Sequence, residues 1–397
     1  MRILHTCHTY WPHTDGVAIV MQRVSEGLAA RGHEVTVATG PAGAAPAEER
    51  RGVQIRRFDV RGNEVRGYSG ATEAYARFVA SFPCEVMLNY AAQICTTDLV
   101  FPLLARLECR KVIAPCGYSG LREECFAEYF TRMPARLRAY DAAVYHSRTY
   151  QDAQFAADNR LGNSVFINNG ADVTDFPYAA GSFRAKHAIR ETTLLLSVGR
   201  LEEGKGQDLV LEAFRGSALH DAALVLIAPE INRFAAETLR TAAGPLFKWR
   251  RRARAVRFEI AKRLSPKPAH RLVWRLSDGK AVYILADLPR QDVLTAYSDA
   301  DLFVFGSRME CSPLVIIEAM ASGTPFISTP VGNVPDMPGG VIVRDAAGMA
   351  AAIDRLARKG EEWRVLSKAG QAAWERDYTW HRVVDQYETL YAKLLSS

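Results

Sequence analysis

RILHTCHTYWPHTDGVAIVMQRVSEGLAARGHEVTVATG, residues 2–40, reads as one strand-helix-strand unit. RILHTC has the apolar run of a buried strand. Val17, Val20, Val24 and Leu28 then recur at helical spacing until Arg31-Gly32-His33 stops the helix, and EVTVATG (34–40) returns as a strand. Strands joined through a helix lie parallel in one sheet. The alternation continues through VQIRRFDV (53–60), EVMLNY (85–90), KVIAPCG (111–117), AAVYHS (142–147) and SVFINNG (164–170), which predicts a doubly wound α/β domain.

A polar stretch with Gly and Pro, ADVTDFPYAAGSF, reads as a linker, and the pattern then restarts. TLLLSVGR (193–200), AALVLIAPE (222–230), AVYILADL (281–288), DLFVFGS (301–307), PFISTP (325–330) and GVIVRD (340–345) predict six further strands. At the end, Trp380, Val383, Val384, Tyr387, Leu390, Tyr391 and Leu394 share one helix face. The expected organisation is an N-terminal domain over 1–178, a C-terminal domain over 179–376 and a terminal helix over 377–397. A chain of 397 residues exceeds what one core usually serves, which agrees with two domains. Ligands of open parallel sheets bind beyond the carboxyl ends of the strands, so the loops after strands are where function is sought.

Seven cysteines, scattered and never spaced as CxxC, argue for a reducing compartment and against a zinc site. No apolar run of about 18 residues could span a bilayer. The net charge of +6 is local. Residues 248–275 hold eleven Lys and Arg against the single acid Glu259, which leaves the rest of the chain acidic.

Three loops carry chemistry. In ECSPLVIIEAMASGTP (310–325), Pro313 fits the first turn of a helix, with Ser312 as N-cap and Gly323 as the stop. Glu310 then lies in the loop and Glu318 in the helix, about 12 Å apart along the axis. That spacing is poor for the paired carboxylates of glycoside hydrolysis. The N-H groups at Ser312, Leu314 and Val315 suit phosphate oxygens, and the two acids suit sugar hydroxyls. The plain alternative is an exposed helix acid and a loop charge. In LLLSVGRLEEGKGQDL, Gly199, Gly204 and Lys205 begin a phosphate-loop spacing, but Gly206 stands where a magnesium-binding hydroxyl is required. Arg200 and Lys205 remain as cations for a diphosphate. After the first strand, Gly16 permits close approach of a ligand at a helix start, beside the rings of His8, Tyr10, Trp11 and His13, while His5 reads as core. Asp299-Ala300-Asp301 precedes a strand, at the end away from the ligand loops, and is set aside as a metal motif.

Together SVGRLEEGKG, INNGADVTDF, DADLFVFGS and ECSPLVIIEAMASGTPFIST resemble the retaining GT-B glycosyltransferases of family 4 (glycosyl transferases group 1) along essentially the whole chain. The resemblance implies two Rossmann-like domains facing a central cleft, with the terminal helix crossing back to the first. It implies a metal-independent hexosyltransferase-type reaction without cofactor, moving a sugar from a UDP- or GDP-linked donor to a glycan or lipid-linked acceptor in cell-surface polysaccharide or glycolipid synthesis. By that likeness Arg200, Lys205 and Glu310 are catalytic, and Gly16, Gly199, Ser312, Leu314, Val315 and Glu318 help bind donor, Glu318 through the ribose. His13 and Cys116 lie on the acceptor side. Two residues depart from the family pattern: Asp15 stands where many relatives have glycine, and Cys116 where many have histidine. Alternative readings are a sugar-nucleotide epimerase on this scaffold and a catalytically idle polyanion binder.

The basic segment, taken as an insertion over 245–276, places Leu246, Trp249, Ala253, Val256, Ile260 and Leu264 at helical spacing among cations. Such a helix suits an anionic membrane surface, or packs its stripe on its own domain. A cytoplasmic protein, peripheral at the inner face of the plasma membrane and without nucleic-acid partners, is the expectation.

Overall fold

The computed structural model describes residues 1–42, 47–172, 181–231, 271–276 and 278–397. It divides into two compact units: Met1–Gly170 with Cys311–Leu314 and Asp377–Ser397, and Ala171–Glu310 with Val315–Arg376. Gly170 closes the first segment of that unit, and residues 173–180 of the stretch read as linker lie outside the described residues. The basic helix expected over 246–264 lies outside the described residues.

The first unit contains β1 (Arg2–Cys7), β2 (Glu34–Thr39), β3 (Ala47–Arg50), β4 (Val53–Arg57), β5 (Val60–Asn63), β6 (Gly67–Gly70), β7 (Val86–Tyr90), β8 (Arg110–Ala114), β9 (Ala142–Tyr145) and β10 (Ser164–Phe166). Eight of them form a sheet in the order β10-β9-β8-β7-β1-β2-β4-β3, while β5 and β6 make a separate antiparallel ribbon. The opening strand-helix-strand unit is as its sequence dictates. β1 and β2 are parallel from Arg2 opposite Glu34 to Cys7 opposite Thr39. The helix Gly16–Ala30 between them buries Val20, Met21, Val24 and Leu28. Each such side chain contributes roughly 1.5–3 kcal/mol of transfer free energy. The expected strand over 53–60 is split: β4 stops at Arg57, and Val60 opens the ribbon. β3 was not foreseen, because AEER is an edge strand pairing antiparallel with β4 and carries charges rather than an apolar alternation.

The terminal helix Trp380–Ser396 completes this core. Thr379 caps it by accepting from the Arg382 N-H, and Trp380, Val383, Val384, Tyr387, Leu390 and Tyr391 are buried. The helix lies so close to Gly16–Ala30 that a Cβ on Gly27 would stand 2.6 Å from Val384 Cγ2. Arg31 and His33 both pair with Glu388, at 2.6 and 2.7 Å. His5 is core, as expected, hydrogen-bonded to Ser25 at 2.8 Å and Tyr391 at 3.1 Å. Burial pushes its pKa down to about 3.

The second unit holds β11 (Thr193–Val198), β12 (Ala222–Ala228), β13 (Arg271–Arg275), β14 (Ala281–Ala286), β15 (Leu302–Phe305), β16 (Phe326–Ser328) and β17 (Gly340–Ile342), in the order β13-β14-β12-β11-β15-β16-β17. All pairs are parallel except β13 with β14. Residues 271–275, within the segment read as a basic insertion, form β13, an edge strand of the sheet. Its alternation of Arg271, Val273 and Arg275 outward with Leu272 and Trp274 half-buried was hidden among the cations before it.

Strand order decides where a ligand fits. In the second sheet the direction of winding reverses between β11 and β15, and in the first between β1 and β7. The loops leaving such a pair diverge to opposite faces and open a crevice at the carboxyl ends.

Candidate active site

The loops after β11 and β15 therefore form the crevice of the second unit, and they contain Arg200, Lys205 and Glu310. Their backbones touch. Gly206 has a left-handed conformation (φ 61°, ψ 30°), and a Cβ there would overlap the Gly306 carbonyl. The absence of a hydroxyl residue at 206 is thus a packing requirement of this loop pair. The Arg308 N-H donates to Gly204 O at 2.8 Å, and Gln207 Nε2 donates to Arg200 O at 2.7 Å. Ser307 Oγ lies 3.1 Å from Gly204 O, 3.4 Å from Met309 O and 3.0 Å from Glu310 Oε1, sharing one hydrogen among three acceptors.

Within this frame Lys205 Nζ donates to Glu310 Oε1 at 2.6 Å, with both side chains largely buried. Arg200 is not brought to the pair. Its guanidinium is exposed and meets Glu202 at 3.1 Å.

Glu318 lies on the helix Leu314–Ala321, which starts immediately after Pro313 and ends before Gly323, itself left-handed at φ 69°. The helix starts at Leu314, one residue after the expected 313, and Ser312 belongs to the first unit. Leu314 and Val315 supply first-turn N-H groups that no helical carbonyl can accept. The reading of Glu318 as an exposed helix acid fails. Its side chain is 4% accessible and pairs with Arg290, the first residue of the helix Arg290–Asp299 after β14. Burial works against the charge on Arg290, yet the adjacent Glu318 carboxylate holds its pKa above the ordinary value. Each acid thus carries its own cation, and the two are not a proton-transfer pair.

Residues 181–372 match the family described as glycosyl transferases group 1. That segment belongs to this family. A D-inositol 3-phosphate glycosyltransferase of Corynebacterium aurimucosum is 29% identical over 251 residues, 59% of this chain and 52% of that one. This chain spans about half the length of the curated relatives it matches. Among solved structures, a sucrose-phosphate synthase from Thermosynechococcus elongatus superposes with a TM-score of 0.75 at 19% identity, covering 100% of this chain and 99% of that one. The Anabaena HepE protein in complex with UDP and glucose follows at 0.69 and 14%, covering 99% and 100%. The fold is GT-B.

In this group 1 glycosyltransferase segment the Asp-Ala-Asp motif is structural. Asp299 accepts from the N-H groups of Gly181, Phe183 and Arg184 at 2.6, 2.9 and 3.1 Å. Asp301 accepts from the Leu194 N-H at 2.6 Å and pairs with Arg184 at 3.0 Å. Among the described residues no three His, Cys, Asp or Glu stand together as a metal group.

The remaining predicted residues lie in the first unit. Gly16 is the first residue of its helix, and a Cβ there would meet nothing within 4 Å, so packing does not demand glycine. The helix start is not vacant, however. Asp15 caps it, accepting from the Ala18 N-H at 3.2 Å and from Thr9 Oγ1 at 3.0 Å. This carboxylate occupies the place expected to welcome a phosphate. His13 is exposed, its N-H donating to Tyr10 O at 2.8 Å.

Cys116 sits in a loop after β8 where three consecutive residues, Cys116, Gly117 and Tyr118, have φ of 59°, 104° and 52°. Two residues that the sequence reading missed hold this loop. Asp152 Oδ2 accepts from the Gly117 N-H at 2.9 Å, and Gln151 Nε2 donates to Gly117 O and Tyr118 O at 2.7 and 2.8 Å. Left-handed non-glycine residues cost on the order of 1–2 kcal/mol each, which these bonds offset. The Cys116 thiol donates to Ala114 O at 3.3 Å, and burial pushes its pKa up to about 12, so it is a neutral thiol and no nucleophile. His146 lies 3.9 Å from that sulfur, its Nδ1-H donating to Ile167 O at 2.8 Å, and burial lowers its pKa. Asp152, His146, Arg290 and Ser307 carry no local motif. Only their partners, distant in sequence, identify them.

Proposed function

We propose that the chain is a retaining, metal-independent glycosyltransferase that moves a hexose from a UDP- or GDP-linked donor to a glycan or lipid-linked acceptor. The observation that carries this reading is the Lys205–Glu310 pair at the β11/β15 crevice of a group 1 segment. Cleavage of the anomeric C–O bond leaves negative charge on the departing diphosphate and positive charge on the sugar. Lys205 exchanges Glu310 for the diphosphate, and the freed Glu310 accepts hydrogen bonds from the sugar hydroxyls. Arg200 swings from Glu202 to add a second cation, and the Leu314 and Val315 N-H groups take a phosphate oxygen. Glu318, oriented by Arg290, accepts from the ribose hydroxyls. Charge stabilised only as it develops lowers the barrier, and two cations supply that stabilisation without a metal ion or cofactor. A nucleoside diphosphate of the UDP type is supported by the UDP complex of the Anabaena relative in fold.

The cationic, apolar-striped pattern of 246–264 supports acceptors presented at an anionic membrane face of the cytoplasm in cell-surface glycan or glycolipid synthesis. Incubation with UDP- and GDP-hexoses, with the product anomer read by NMR, tests the reaction. Lys205→Ala lowers turnover by about 10² to 10³ with the fold retained by circular dichroism. Unchanged turnover, or an inverted product, refutes the reading.

A further inference from the structure

The sequence reading treated the cysteines as scattered, yet the fold brings two of them together. Cys84 stands just before β7 and Cys109 immediately before β8. These strands are parallel neighbours with Val86 opposite Arg110, and the Arg110 N-H donates to Glu85 O at 2.9 Å. This register sets Cys84 and Cys109 side by side at the entrances of the two strands, against the same apolar cluster. Both are half-buried against the apolar cluster of the first unit, so one side stays open to a small solute.

Their surroundings divide the labour. Lys111 Nζ donates to Leu107 O at 3.3 Å, which sets an ammonium beside the turn that carries Cys109. The neighbouring Cys84 thiol, and then the Lys111 charge, hold the Cys109 thiol below its ordinary pKa against the opposing effect of burial. Other thiols are placed differently. Burial pushes Cys7 up to about 12 and Cys95 to about 11. The pair lies at the amino ends of its strands, opposite to the loops that carry His13 and Cys116.

We propose that Cys84 and Cys109 form a peroxide-reactive dithiol that closes to a disulfide joining the amino ends of β7 and β8. The Cys109 thiolate attacks one oxygen of hydrogen peroxide. The O–O bond breaks, the departing hydroxide takes up a proton as water, and Cys109 becomes a sulfenic acid. The Cys84 sulfur then attacks that sulfur, and its proton leaves with the hydroxyl as a second water. Two thiols are oxidised by two electrons and one peroxide is reduced.

The test treats the full chain with a small excess of hydrogen peroxide and maps tryptic peptides without reduction. The expected result is a peptide linked through Cys84 and Cys109, a fall of two in free thiols from seven, and reversal by dithiothreitol. In Cys84→Ser, dimedone should label Cys109 ahead of the exposed Cys125, which keeps the proposal testable without the disulfide. Because neither residue belongs to the donor or acceptor site, Cys84→Ser should retain basal activity. Absence of the linked peptide, or labelling of Cys125 while Cys109 stays a thiol, overturns the proposal.

Discussion

Replacing Arg290 with alanine strands the Glu318 carboxylate. That side chain is 4% accessible and its cation is 39% accessible, so the acid depends on the guanidinium more than the reverse. Removing one partner of a buried pair costs about 3–5 kcal/mol, because the remaining charge stays desolvated. The outer edge of Arg290 is already in water, which places the cost near the lower end, about 3 kcal/mol. A unit of about 200 residues loses roughly 2–4 °C per kcal/mol, so the melting transition of the second unit should fall by ~6–12 °C. Arg290→Lys should recover part of this, since a point charge reaches the carboxylate but loses the planar fork. The double variant Arg290→Ala with Glu318→Gln removes both charges and should melt above Arg290→Ala alone, a non-additivity that the cycle with the two single variants measures directly. Calorimetric melting of wild type, Arg290→Ala, Glu318→Gln and the double variant is the assay. A drop under about 2 °C for Arg290→Ala, or simple additivity in the cycle, would show that the pair contributes no coupling and that the burial argument is wrong.

Two further predictions address the loops. Gly206→Ala puts a side chain in a left-handed conformation against the Gly306 carbonyl, so the loops after β11 and β15 must separate. It should cost more than the ~1–2 kcal/mol of conformation alone and should break the Lys205–Glu310 pair, read as lost donor binding in protein that remains folded; wild-type binding would contradict the packing argument. Asp152 has its pKa raised to about 6 by burial, opposed by its N-H donors, against 3.8 ordinarily. A raised carboxyl contributes stability that is fully present below about pH 4 and is lost as pH rises through about 6. Between those limits the first unit of the wild type should lose on the order of 3 kcal/mol relative to Asp152→Asn, and parallel melting-versus-pH curves for the two would refute it.

What the sequence disclosed was set by periodicity. Central strands such as LLLS and LVLIA are buried on both faces and read as continuous apolar runs, and the terminal helix declared itself through the spacing of Trp380, Val383, Tyr387 and Leu390. Edge strands escaped because their composition answers to solvent: AEER in β3 and RLVWR in β13 present charges to water. Glu310, Glu318 and Lys205 were legible because loop position and helix signals are local. Their electrostatic partners were not, since Arg290 meets Glu318 and Lys205 meets Glu310 only once the strand order β14-β12-β11-β15 is formed. Asp15 shows the converse. Its place before a helix start was visible, but its role as the cap that fills that start is a matter of side-chain geometry.

The central claim is that the β11/β15 crevice holds a nucleoside diphosphate through Lys205 and its nucleoside through Glu318. Titration calorimetry of UDP, GDP and the corresponding nucleosides into wild type, Lys205→Ala and Glu318→Ala tests this without requiring an acceptor. One of the two diphosphates should bind the wild type. Lys205→Ala should weaken that diphosphate by at least about tenfold, some 1.4 kcal/mol, while leaving the nucleoside unchanged, and Glu318→Ala should weaken both. Equal affinities across the three proteins, or a Lys205→Ala loss that appears equally with the nucleoside, would contradict the account.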